Sequence, residues 1–168
     1  MPSPITVIIR SEPILNQFMI ANFGQMPMEL PKGHFLLNRL FHFLRRPPKE
    51  YKPKTAGIND LVITIPYNDE KNVLYNFYLS SLCEKCYLKS IKNFFHLTFV
   101  EDMNESRLSG LNIKDSIYVF IDKYDLGAQA FEALDKYYQR YSSKKRVYAH
   151  RKRKYNKSSV KRRFCPTS

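Results

Sequence analysis

Leu61-Val62-Ile63-Thr64-Ile65 is a run of apolar and β-branched residues closed by Pro66, which has no backbone N–H to give to a sheet ladder. Its length, residue types and terminating proline read as a strand. The chain holds one other clear run of this kind, Ile5-Thr6-Val7-Ile8-Ile9, bounded by Pro4 and by Ser11-Glu12-Pro13. Two such runs pair into a small sheet. The intervening and following sequence has helical spacing, so the expected class is α+β, mostly helical.

Around the strands, Pro13 suits the first turn of a helix. Ile14, Leu15, Phe18, Met19 and Phe23 recur at helical spacing, and Gly24 ends the run. Met26 to Leu30 reads as an edge strand, because Pro27 removes a donor. His34 to Arg45 reads as a helix that is apolar around most of its circumference, which points to burial on several sides, either as a plain core helix or partly in a homodimer contact. From Val73 to about Asp102 the apolar residues Val73, Phe77, Leu82, Leu88, Ile91, Phe95 and Phe99 mark another helix, with a break near Ser90. Asn104 to Gly110 reads as a polar turn. Two further helices follow, Asn112 to Tyr124 and Ala128 to Ser142.

The expected organisation is a strand and helix lobe over residues 1–45, a basic Pro-rich linker over 46–57, a helical domain over 58–142 and a basic tail over 143–168. With 43% hydrophobic residues, 12 Tyr and 12 Phe, the chain has enough apolar mass for a core. It shows no signal-peptide pattern and no apolar stretch near the ~18 residues that span a bilayer. Three cysteines, an odd number, argue for a reducing compartment. A cytoplasmic protein without a membrane partner is expected.

The charge is laid down unevenly. Residues 136–168 hold 13 Lys and Arg and no Asp or Glu, whereas residues 1–135 hold 15 of each kind, so the whole formal charge of +13 sits in the last fifth of the chain. Such a segment points to a polyanionic partner, because each cation that meets a phosphate releases a condensed counterion. Its clusters are Lys144-Lys145-Arg146, Arg151-Lys152-Arg153-Lys154 and Lys161-Arg162-Arg163. No apolar stripe accompanies them, which disfavours a bilayer surface.

Ile117 to Lys136, IYVFIDKYDLGAQAFEALDK, resembles the helix-turn-helix of bacterial and phage DNA-binding proteins. In that motif two short helices cross at a tight turn and the second enters the major groove. The places that must be apolar fall at Phe120, Tyr124, Leu126, Phe131 and Leu134. Two positions depart from the pattern: Ile121 stands where a small residue is usual, and Asp125 where the turn Gly is usual. The resemblance covers 20 of 168 residues, and a plain helical hairpin satisfies the same spacing. It implies that Phe131, Leu134 and Tyr138 face inward. Gln129, Glu132, Ala133, Lys136, Tyr137 and Arg140 then face outward. Gln is suited to adenine edges and Arg or Lys to guanine edges. The reading helix would run directly into the phosphate-binding charge. Tyr137, Tyr138, Tyr141, Tyr148 and Tyr155 interleave with the cations, which leaves single-stranded DNA or RNA open as a target.

Other constellations carry less. Cys83 and Cys86 form a CxxC without a second ligand pair, and i, i+3 cysteines on a helix read as small buried side chains rather than a metal site. His34 and His42 sit on an apolar helix. Asp60, Asp69-Glu70 and Glu101-Asp102 have no metal-site spacing. There is no glycine-rich phosphate loop and no nucleophile with an evident base. The expectation is therefore a non-enzymatic protein, without cofactor or metal. It would be a DNA-binding transcriptional regulator or an accessory factor of a phage or mobile element. The alternatives are a nucleic-acid-packaging or virion-associated protein and an RNA-binding module.

Overall fold

The computed structural model describes residues 5–68 and 72–144. It divides into two compact units, Met1–Ala128 and Gln129–Ser168. The first contains β1 (Thr6–Arg10), α1 (Pro13–Phe23), β2 (Met28–Glu29), α2 (Phe35–Phe43), β3 (Asp60–Thr64), α3 (Ser81–Leu108) and α4 (Ile113–Lys123). In the second, α5 covers residues 130–144. Among the described residues the class is α+β, with five helices and one small sheet.

The sheet has the order β1-β3-β2. β1 pairs antiparallel with β3, placing Val7 opposite Ile63 and Ile9 opposite Leu61, and Ile65 N–H donates to Ile5 O just beyond the ladder. Val7, Ile9, Leu61 and Ile63 are all buried. This matches the pairing expected of the two β-branched runs. β2 lies parallel to β3 at the other edge, with Met28 opposite Ile63, in keeping with the edge position that Pro27 demands. α1 also follows its sequence signals, with Pro in its first turn and Gly24 capping its end at φ 90°.

α3 departs from expectation at both ends. Ser80 caps it, its hydroxyl accepting from Cys83 N–H at 3.3 Å, so the helix starts at Ser81 rather than near Val73. Residues 72–80 are not a helix. Val73 and Leu79 are buried from an irregular segment, and Tyr78 exchanges backbone hydrogen bonds with Arg45 (2.8 and 3.0 Å). The helix passes Ser90 unbroken, Ser90 Oγ donating to Cys86 O, and continues through Asn104 to Leu108. Its buried line is Tyr87, Ile91, Phe95, Phe99 and Met103. A repeat of four overshoots a 3.6-residue turn by ~40° per step, so the line winds around the helix. Different neighbours therefore cover it, and α3 packs on α1, α2 and α4.

Aromatic rings fill this core. Phe18 of α1 stands 5.0 Å from Phe95 and 5.0 Å from Tyr124, and Phe120 of α4 stands 4.9 Å from Phe99. α2 buries Leu36, Leu37 and Leu40 but leaves Phe35 48% exposed, so its burial is one-sided rather than all round.

Residues 46–57 do not separate two lobes. The segments before and after them share the sheet and both lie in the Met1–Ala128 unit; the division falls at 128/129. The stretch is also fastened: Lys54 Nζ meets Glu84 Oε2 at 2.5 Å and Gly57 N–H donates to Asp60 Oδ2 at 2.9 Å.

One buried and one half-buried polar group generate predictions. The Tyr87 side chain is fully buried and no described residue partners its hydroxyl, so burial pushes its pKa well above the ordinary value. Tyr87→Phe should stabilise the protein by about 1 kcal/mol or more in urea unfolding, since it removes a desolvated, unpaired hydroxyl. A destabilised variant would show that the hydroxyl has a partner. The second group is His34, whose Nδ1 accepts from Leu36 N–H at 3.3 Å while its ring packs on Phe23, Phe35 and Phe94. Burial lowers its pKa below 6.5, and His96 is lowered by burial and Lys92. A lowered histidine favours the neutral form, so its stabilisation is present above pH 6.5 and is lost as pH falls through the folded value. The urea midpoint should drop between pH 7.5 and pH 5, and His34→Asn, which keeps an acceptor that does not titrate, should shrink that drop. An undiminished drop would exclude His34 as a cause.

Candidate nucleic-acid interface

α4 starts at Asn112, whose Oδ1 accepts from Asp115 N–H at 2.9 Å. Its inner face, Ser116, Ile117, Phe120 and Ile121, is buried. Near its end Lys123 Nζ binds both oxygens of Asp102 (3.0 and 2.9 Å), a pairing that raises the lysine pKa. The helix then closes in a Schellman pattern: Leu126 N–H donates to Ile121 O (3.1 Å) and Asp125 N–H to Asp122 O (3.4 Å). Asp125 takes the left-handed position at φ 49°. α3 ends the same way, with Leu111 N–H on Ser106 O and Gly110 at φ 90° in the equivalent place. Asp125 thus stands where that closure, like the resembled motif, ordinarily has glycine. Leu126, at 1% exposure, seals the turn.

Of the expected apolar set, Phe120, Tyr124, Leu126 and Leu134 are buried, while Phe131 is half-buried. Ala130 is buried as well, which the spacing did not indicate.

In α5 the residues expected to face outward do so in the main. Glu132, Ala133, Lys136 and Arg140 are exposed, as is Gln129, which lies in the turn just before the first helical residue. Lys144, the last described residue, continues the same face. Tyr137 is half-buried, and burial together with Tyr141 raises its phenol pKa. The face is not purely basic: Lys136 Nζ lies 3.5 Å from Glu132 Oε2, and Gln139 Nε2 donates to Asp135 Oδ2 at 2.7 Å. Lys145, Arg146, Arg151, Lys152, Arg153, Lys154, Lys161, Arg162 and Arg163 lie outside the described residues, as do Asp69 and Glu70.

Cys83 is half-buried and Cys86 exposed, so neither is the small core side chain expected of such a pair. Among the described residues no group of three or more His, Cys, Asp or Glu is placed to hold a metal ion. Nor is any helix there long and apolar enough to cross a membrane. The chain matches no protein-family model, no curated protein and no solved structure.

Summing charge over residues 1–135 conceals a local excess. Residues 31–59 hold seven Lys and Arg against one acid, Glu50. Two of these cations, Arg39 and Arg45, line surface grooves beside α2.

The α4 closure can be tested directly. Asp125→Val should lower stability by about 1–2 kcal/mol, because a β-branched side chain is poorly tolerated in the left-handed region, whereas Asp125→Gly should be neutral or stabilising. Equal thermal midpoints for the two variants would remove the conformational argument.

Proposed function

We propose that this protein binds nucleic acid, with DNA the favoured target, and that its C-terminal segment supplies most of the affinity. The observation that carries this reading is the segregation of charge, 13 cations and no acid from Lys136 onward against a balanced remainder. Phosphate contacts of this kind give strong affinity that depends on salt and carries no sequence information. Adding to it, the exposed face of α5, with Lys136, Arg140 and Lys144, leads into the charged segment.

On this reading Gln129 and Arg140 are the residues offered to base edges, and the role is that of a transcriptional regulator or accessory factor of a phage or mobile element. Glu132 and Asp135 favour a second reading. They place carboxylates on or beside the presented face, where they would repel phosphates, and Glu132 engages Lys136. A packaging or virion-associated protein that neutralises phosphate without reading bases needs no such helix. Self-association through α2 belongs to the regulator reading, where two-fold dimers bind paired half-sites.

Binding titrations on random and selected duplexes at two salt concentrations separate the two. Arg151→Ala, Lys152→Ala and Arg153→Ala together should weaken binding to every sequence and flatten the salt slope by up to about 3. Gln129→Ala or Arg140→Ala should instead cost about 1–3 kcal/mol of preference for the selected site and leave random binding nearly intact. If the two sets behave alike, the packaging reading replaces the regulator.

A further inference from the structure

We propose that the surface straddling the Asn38–His42 ridge of α2 is a binding site for unpaired nucleotides of a single-stranded nucleic acid. Asn38 and His42 are four residues apart and so share one face of the helix. Both line the two grooves on either side of it. The larger groove, about 810 Å³, is also lined by Phe41, Arg45, Asn68, Asn72 and Asn76. The smaller, about 490 Å³, is also lined by Phe35, Arg39 and Asn93. Both volumes lie in the range of small-molecule sites.

The lining chemistry narrows the ligand. Five side-chain amides meet here, each carrying a donor and an acceptor, the combination that matches the edges of a nucleobase. Two are already half committed in complementary ways. Asn72 Oδ1 accepts from Leu74 N–H at 3.0 Å, which leaves its NH2 as a donor. Asn76 Nδ2 donates to Asn72 O at 2.9 Å, which leaves its carbonyl as an acceptor. Phe35, 48% exposed, lines the smaller groove with aromatic surface suited to stacking.

Charge sets nucleotides apart from uncharged ligands with similar hydrogen bonding, such as sugars. Arg39 and Arg45 are the charged side chains among the described lining residues, and residues 31–59, which run through α2, hold seven cations and one acid; Asp69 and Glu70, between Asn68 and Asn72 in sequence, lie outside the described residues. Arg45 Nη1 is held by His42 O (2.7 Å) and Leu44 O (3.0 Å), which fixes its guanidinium beside the larger groove and leaves further N–H groups for a phosphate. Arg46 lies 6.0 Å from the exposed Tyr75 ring.

The recessed shape argues for unpaired bases. A duplex is read by an element that protrudes into its groove and keeps its Watson–Crick edges covered. A base splayed out of a single strand presents both its face and its edge to a hollow. The site uses no residue of the C-terminal segment, so it is independent of the anchoring role proposed above.

The test uses the full chain. Affinity is measured for a short single strand, for the same strand with its bases removed, and for a blunt duplex of equal length. The base-bearing strand should bind about tenfold tighter than the abasic one, the effect of stacking one or two bases. Asn72→Asp keeps the oxygen that accepts from Leu74 N–H but removes the donor, and Asn38→Asp alters an exposed position; together they should abolish most of that preference. A wild-type protein that binds both strands equally, or variants that keep the wild-type ratio, overturns the proposal while leaving the polyanion reading in place. If no strand binds at low salt, the polyanion reading fails instead, and the groove is judged by titrating adenosine monophosphate against the side-chain amide resonances of Asn38 and Asn72. Shifts with the nucleotide but not with ribose phosphate support the site; no shift, or equal shifts with both, overturns it.

Discussion

The winding apolar line of α3 is the constraint from which the Met1–Ala128 unit follows. Because Tyr87, Ile91, Phe95, Phe99 and Met103 precess around the helix, no single flat partner can cover them. α1, α2 and α4 must each take part of the line, and the ring contacts of Phe18 and Phe120 lock two of those helices to it. The sheet contributes Val7, Ile9, Leu61 and Ile63 to the same core. Such contacts join residues far apart in sequence, so the segments on either side of 46–57 are held together although the connector itself carries three prolines.

The legible parts of the fold were those whose signals are local. β-branched runs closed by prolines located β1 and β3, and Pro13 with Gly24 bracketed α1, because these residues restrict the backbone wherever they stand. α3 misled for the opposite reason. Val73 and Phe77 fall at helical spacing, yet Val73 is buried from an irregular segment, and only the Ser80 cap marks the true start. Asn104 to Leu108 look like a turn by composition, but they are the exposed last turn of a helix, where polar residues cost little.

The candidate interface divides in the same way. The outward face of α5 was readable from periodicity, since exposure on a helix follows directly from spacing. The α2 surface was not. Its amides carry no charge and form no motif, and they come from separate parts of the chain, residues 38, 68, 72, 76 and 93. The cations beside it vanish when charge is averaged over the whole body. A window of ~30 residues would have exposed them.

The sheet margins bear on how copies of this chain can meet. β2 is two residues long and follows a proline, and the end of β1 is closed where Arg10 N–H donates to Glu84 Oε1 at 3.0 Å. The β2 margin therefore offers no long row of unpaired backbone groups to recruit a foreign strand. A second copy meeting the sheet from that side would find almost no ladder to extend, and at the β1 margin the Arg10 N–H is already taken.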